Sequence, residues 1–183
     1  MRKLIEVTHV SLGGEIGSPQ DWAFPYLDAD HEAYANMILF SADALLLGRV
    51  TYEGLSAGYT TMAPNAFVDR MNSIPKFVAS STLKTASWNA SIISGDVTNF
   101  VTDLKSQPGS GIVKYGNGVL DIPLMDAGLI DEFHILLTPV AVGTGQHMFE
   151  DLAGAPQLDL LDLKRFKSGV VNLVYAPKRR EVN

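Results

Sequence analysis

The chain has 183 residues, of which 46% are hydrophobic and 19% charged, with a formal net charge of −6 and no cysteine. This balance excludes intrinsic disorder and predicts one domain spanning residues 1–183. The acidic charge argues against nucleic-acid binding, and the lack of cysteine excludes disulfides and thiolate metal sites. The apolar runs are too short for a membrane span and no secretory signal is recognisable. We therefore expect a cytoplasmic protein with no membrane partner.

Strand and helix patterns alternate along most of the chain. In chain order, the sequence predicts a strand at 4–12, a loop at 17–25, a helix at 30–42, a strand at 44–47, a helix at 49–55, a loop at 57–65, a helix at 66–72, strands at 76–80 and 91–94, a helix from 96 that Pro108 stops, a strand at 112–115, a helix ending at 127, a strand at 132–138 and a hairpin of strands at 158–166 and 170–175. This order predicts an α/β fold with a mostly parallel sheet and an antiparallel hairpin at its edge.

Three predicted strands end in segments suited to an anionic ligand. These segments are Gly48-Arg49-Val50-Thr51, Ser80-Ser81 and the turn Gly116-Asn117-Gly118-Val119. Ligands of open parallel sheets bind at the carboxyl ends of the strands, and helix N-termini there bind phosphates. Each segment alone also fits a plain strand-to-helix turn, with Arg49 solvated beside a capped helix, but together they favour a phosphate-bearing ligand at this edge.

Two other motifs carry weaker signals for chemistry. Gly54-Leu55-Ser56-Ala57-Gly58 matches the nucleophile-elbow pattern of hydrolases, but the preceding strand ends eight residues before Ser56, so a hydrolase is disfavoured. The four histidines lack the spacing of a helical metal site, and we expect no metal.

A group of acidic residues and one lysine each have both a structural and a functional interpretation. Asp28, Asp30 and Glu32 begin the first predicted helix, where acids stabilise the helix dipole. Asp30 is also a candidate proton donor. Lys114 interrupts an apolar strand, and it is either exposed at an edge or directed at the ligand.

Several segments resemble the dihydrofolate reductase-like superfamily, and more closely the reductase domain of the riboflavin-biosynthesis deaminase–reductase and its stand-alone relatives. The matching segments follow the family order along almost the whole chain. They are Ser11-Leu12-Gly13-Gly14, Asp21-Trp22, Leu46 to Glu53, Phe77 to Leu83, Tyr115 to Gly118, Ala127 to Glu132, Pro139 to Gly145 and Phe149.

The resemblance implies a three-layer α/β/α fold that binds NADPH. By resemblance, Gly48 to Thr51 hold cofactor phosphates, Ser80 and Ser81 lie near the adenosine 2′-phosphate, and Gly116 to Val119 cradle the pyrophosphate. The loop containing Ser11 and Gly13 is implied to lie beside the nicotinamide and substrate. Trp22 and Tyr26 are candidates for a substrate platform or for core packing.

The implied activity is NADPH-dependent reduction of a small heterocyclic molecule, pterin-like or ribosylaminopyrimidine-like, as in 5-amino-6-(5-phosphoribosylamino)uracil reductase. The family usually has Ser-Leu-Asp-Gly in its first loop, whereas this chain has Gly13 in place of the acid. The alternative is therefore a non-catalytic nucleotide-binding module that retains the cofactor pocket. Family members are often dimers, so we also expect a homodimer, formed through the C-terminal hairpin.

Overall fold

The computed structural model describes residues 1–178, and within them eight strands form one sheet. The strands are β1 (Lys3–Ser11), β2 (Ala44–Gly48), β3 (Lys76–Ala79), β4 (Ala90–Ile92), β5 (Gly111–Tyr115), β6 (Glu132–Thr138), β7 (Leu158–Arg165) and β8 (Val171–Pro177). Their order is β4-β3-β2-β5-β1-β6-β8-β7, with β1 to β6 parallel and the β7–β8 hairpin antiparallel. The predicted parallel sheet with an antiparallel edge is confirmed.

Within residues 1–178, six α-helices connect the parallel strands. They are α1 (Pro19–Trp22), α2 (Ala29–Ser41), α3 (Arg49–Tyr59), α4 (Ala66–Ser73), α5 (Val97–Ser106) and α6 (Asp121–Asp126). None of the helices in the described chain combines the length and apolar character that a bilayer span requires.

The helices cover both faces of the sheet and create two apolar cores. One core joins α2, α3 and α4 to one face, and the other joins α5 and α6 to the opposite face. Strand β2 contributes to both cores, because Leu45 and Leu47 pack into the first and Leu46 packs into the second. Because successive side chains of a strand point to opposite faces, a continuous apolar run suits a strand covered on both sides. The three-layer arrangement is thereby confirmed.

Helix α3 continues beyond its predicted end and takes up part of the segment predicted as a loop. The hydroxyls of Thr60 and Thr61 donate to carbonyls of the preceding turn, including that of Ser56 at 2.6 Å, and so satisfy the helix C-terminus. Gly54 and Gly58 both lie within the helix and line the cleft described below. A short helix and a 3-10 turn (Phe24–Tyr26) likewise occupy the predicted loop at 17–25.

Candidate active site

A cleft of about 1770 Å³ opens at the carboxyl ends of the parallel strands. Its walls come from the ends of β1, β2, β3 and β5 together with α2, α3 and α4. Typical pockets for one small molecule measure roughly 300–1,000 Å³. This cleft therefore has room for a dinucleotide and a second small molecule.

All nine residues predicted to bind the cofactor line this cleft. We call this set the cofactor wall, and it consists of Gly48, Arg49, Thr51, Ser80, Ser81, Gly116, Asn117, Gly118 and Val119. Helix α3 begins in this wall after Gly48, which provides no side-chain cap. The first backbone N–H groups of α3 are thus available to an anion at the positive end of the helix.

The turn after β5 is shaped by Gly116, which has a φ of 76°. A Cβ at this position would lie 3.0 Å from the Thr51 hydroxyl, so a side chain here would be strained and crowded. Two amides of the turn are already used, because Gly116 donates to the Val7 carbonyl at 2.9 Å and Gly118 donates to Asp121 at 2.8 Å. Among the amides of this turn, those of Asn117 and Val119 therefore remain for an anion.

Arg49 and Ser80 also have protein partners within the cofactor wall. Arg49 forms an ion pair with Glu53 at 2.9 Å, with 45% and 47% of the two side chains exposed. Such an exposed pair is weak, so an anionic ligand can replace Glu53 as the partner of Arg49. The Ser80 hydroxyl oxygen accepts the amides of Thr82 and Leu83, which fixes the turn after β3.

Lys114 lies beneath the Gly116 turn and is neither an edge residue nor free for a ligand. Its ammonium donates to the Gly116 carbonyl and pairs with Asp121 at 2.8 Å, and both side chains are only 2% exposed. Glu6 is buried in the same cluster and accepts from the Thr8 hydroxyl. Burial raises the pKa of Glu6 to about 7, with Lys114 opposing and Asp121 adding to the shift. Two carboxyls thus share one ammonium below the cofactor wall.

Three residues predicted to contact substrate or to act as the acid have other partners, and none is among the described residues that line the cleft. Asp30 accepts the Lys167 amide at 3.0 Å and so joins α2 to the β7–β8 turn. The Trp22 indole donates to the Gly17 carbonyl at 2.8 Å. Tyr26 is partly buried and packs against the first apolar core. These contacts give all three a structural role.

The loop after β1 also uses its predicted substrate residues internally. The Ser11 hydroxyl oxygen accepts the amides of Gly13 and Glu15, at 3.1 and 3.0 Å. Gly13 packs so closely against the loop after β6 that a Cβ would collide with the Val142 carbonyl oxygen. Neither Ser11 nor Gly13 is among the described residues lining the cleft. The absence of an acid at position 13 therefore has a steric explanation.

We expect Gly13→Asp to destabilise the protein by about 1–3 kcal/mol, the usual cost of overpacking. The facing loop cannot easily yield, because the Leu12 amide donates to the Val140 carbonyl at 2.8 Å. Urea denaturation measures the change. Gly143→Ala is the control, since a Cβ there meets no atom within 4 Å. Equal stability of Gly13→Asp and wild type would contradict the steric explanation.

The half of the cleft opposite the cofactor wall contains two residues that the sequence did not reveal as site residues. His9 on β1 and His31 on α2 both line the cleft, and their Nε2 atoms are 3.3 Å apart. Twenty-two positions separate them. Only the packing of α2 on β1 brings them together, and no spacing rule could have found them.

The disfavoured hydrolase gains no support from the structure. Ser56 lies inside α3 rather than at a strand-to-helix turn. His134, a histidine that could complete the Ser…Asp…His order of such an enzyme, bonds to the Tyr34 hydroxyl at 2.8 Å and to Glu132 at 3.0 Å.

Comparison with known proteins identifies the family. The model of the RibD C-terminal domain matches residues 2–172. The chain belongs to the RibD C-terminal domain family. This confirms the resemblance inferred from the sequence segments.

Individual proteins are similar to the chain in sequence or in fold. The chain is 29% identical over 182 residues to Uncharacterized protein YyaP of Bacillus subtilis (strain 168), covering 95% of this chain and 94% of the relative. Its fold is similar to that of a putative riboflavin biosynthesis protein from Shewanella sp. PV-4, with a TM-score of 0.75, 21% identity and coverage of 97% and 99%. It is also similar to dihydrofolate reductase from Enterococcus faecalis complexed with NADP(H), with a TM-score of 0.60, 16% identity and coverage of 97% of each chain.

Proposed function

We propose that this protein is a cytoplasmic, NADPH-dependent reductase of a small heterocyclic substrate, pterin-like or ribosylaminopyrimidine-like. The observation that carries the proposal is the convergence of all nine predicted cofactor residues on one wall of one cleft. Membership of the RibD C-terminal domain family and the similarity to a dihydrofolate reductase that binds NADP(H) support an oxidoreductase.

The residues present fit a phosphate-bearing nicotinamide cofactor. The uncapped start of α3 and the side-chain-free turn at Gly116 offer backbone amides and close approach, while Arg49 offers the charge for a 2′-phosphate. When bound, the reduced nicotinamide supplies the hydride. The start of α3, the Gly116 turn and Arg49 would hold its phosphates, and the walls of the cleft would shield the reacting atoms from water.

Steady-state NADPH oxidation with a panel of pterins and ribosylaminopyrimidines tests the proposal. We expect oxidation that depends on one member of the panel. Tight NADPH binding without oxidation across the panel would instead favour the nucleotide-binding module. That alternative draws support from Gly13, because the structure leaves no space for the acid that the family usually carries there.

We expect Arg49→Ala to weaken NADPH binding by about 10- to 100-fold and to leave NADH binding nearly unchanged. A charge-assisted hydrogen bond to the 2′-phosphate contributes roughly 1.5–3 kcal/mol, and NADH lacks that group. Calorimetric titration of both cofactors measures the difference. Glu53→Gln is the control, because it frees Arg49 without removing it. Equal losses for NADPH and NADH would contradict this role for Arg49.

We also propose a homodimer formed through the β7–β8 hairpin. Leu160 and Leu163 on β7 are 53% and 55% exposed, and they pair with Tyr175 and Leu173 of β8 on one face of the sheet. We expect Leu163→Asp to convert the dimer into a monomer, because it places a charge in this apolar face. Light scattering at micromolar concentration measures the mass, with Leu12→Asp as an exposed control. A monomeric wild-type protein would contradict the proposal.

A further inference from the structure

His9 and His31 form a contact pair in the half of the cleft opposite the cofactor wall. His9 lies near the carboxyl end of β1, and His31 lies in the first turn of α2. Their ring centroids are 5.2 Å apart, and the two ring planes are tilted by 32°. The His31 ring also packs edge-to-face with Phe166. Strand β1 is the direct neighbour of β5, whose terminal turn belongs to the cofactor wall. A ring bound at the pair would therefore adjoin whatever the cofactor wall holds.

The pair is held uncharged by its surroundings. Burial lowers the pKa of His9 to about 3, and the neighbouring His31 adds to this effect. Burial also lowers the pKa of His31, although the Asp28 carboxylate opposes the shift. At neutral pH both rings are neutral, so one Nε2 donates the shared hydrogen and the other accepts it.

This shared bond determines which nitrogen is left for a ligand. Nδ1 of His9 is fully buried and has no partner among the described residues. Nδ1 of His31 also bonds to no described protein group, but it is not among the fully buried unpartnered atoms. His31 therefore retains one accessible ring nitrogen, whose protonation is set by the proton position on His9.

The charges around the pair exclude one class of substrate. Asp28 and Glu32 line this half of the cleft, and the cavity-lining cations of the described chain are Arg49 and Lys114. Both cations belong to the opposite half and already have carboxylate partners. A phosphate near the histidines would meet two carboxylates and no cation, and it would lose hydration without compensation.

We propose that His31 and His9 bind the polar edge of an uncharged heterocyclic substrate that carries no phosphate group. His31 makes the hydrogen bond to the ring, and His9 is a positioning residue that fixes the tautomer of His31. This inference rests on the proposed reductase function and narrows its substrate class to the unphosphorylated members.

A matched pair of probes tests the inference, namely a 6-ribosylaminopyrimidine and its 5′-phosphate. Each probe is titrated into the full chain with and without NADP⁺, and binding is followed by calorimetry and by NMR of the histidine ring protons. We expect the unphosphorylated probe to bind at least about tenfold more tightly and to shift the signals of His9 and His31. Tighter binding of the phosphate, or no shift of either histidine with any probe, would overturn the inference.

Variants separate the two roles and the two proposals. We expect His31→Gln to weaken the unphosphorylated probe at least about tenfold and to leave NADP⁺ affinity unchanged. His9→Leu should abolish the coupled titration of His31 in NMR, and His9→Gln should partly restore probe binding because its amide can still donate. His147→Gln, in a loop outside the cleft, is the control. If the wild-type protein does not bind NADP⁺, the proposed reductase function is rejected. Shifts of the histidine signals by the probe in the absence of NADP⁺ would still support binding at His9 and His31.

Discussion

Replacing Lys114 with methionine is expected to lower the free energy of unfolding by about 3–5 kcal/mol at pH 7, the usual cost of breaking a buried ion pair from one side. The ammonium is the cation that faces both Asp121 and Glu6, and it also holds the Gly116 carbonyl. Methionine has a similar length but donates no hydrogen bond, so two carboxyls lose their compensation. The cofactor wall should lose affinity as well, because its central turn loses this anchor.

Urea denaturation at pH 7 and pH 5 measures the effect of Lys114→Met. The loss should be smaller at pH 5, where the carboxyls can take up protons and no longer need a counter-ion. Lys3→Met is the matched control, because Lys3 pairs with Glu132 at 2.6 Å but is 65% exposed, so its loss should not exceed about 1 kcal/mol. The double variant Lys114→Met with Glu6→Gln should recover part of the stability. A loss for Lys114→Met no larger than that for Lys3→Met would contradict the buried pair.

The cofactor wall could be predicted from the sequence because a simple rule of topology links its parts. Gly48, Ser80 and Gly116 each follow a short apolar run, and parallel strands bring such positions to one edge of the sheet. The rule needs only strand identity and direction. It does not depend on which side chains later bond to one another, so it survives errors of a few residues in the helix boundaries.

The half of the cleft opposite the cofactor wall could not be predicted from the sequence, because its contacts join residues that are far apart along the chain. Asp30 has the right residue type near the cleft, but a backbone amide at Lys167 takes its carboxylate. His31, one position later on the helix, faces β1 and meets His9 instead. Lys114 looked anomalous in an apolar strand, because the sequence does not show that it pairs with Asp121 of α6 and lies opposite Glu6 on the neighbouring strand. Local patterns fix the backbone elements, while burial and cross-strand register determine which polar side chain reaches the site.

Glu6→Gln is expected to remove most of a fall in stability between about pH 4.5 and pH 7. The folded-state pKa of Glu6 is raised to about 7 from an ordinary value near 4.5, chiefly by burial. The folded protein then holds this proton over a range in which the unfolded chain has lost it. Stability therefore decreases as pH rises through this window, by up to roughly 3 kcal/mol in total at about 1.4 kcal/mol per pKa unit. Glutamine stays neutral throughout, so the variant should equal the wild type near pH 4.5 and exceed it at pH 8.

Urea denaturation at several pH values compares Glu6→Gln with the wild type and with Glu32→Gln, whose exposed carboxylate should leave the slope unchanged. The difference between Glu6→Gln and the wild type isolates this one proton from all other titrating groups. The pH midpoint of this difference also depends on the neighbours of Glu6, because the Lys114 ammonium lowers the pKa of Glu6 and the Asp121 carboxylate raises it. Adding Asp121→Asn to the wild type should therefore move the fall to lower pH. Parallel stability curves for Glu6→Gln and the wild type would show that Glu6 is ionised in the folded protein, and that the ammonium of Lys114 compensates both carboxylates.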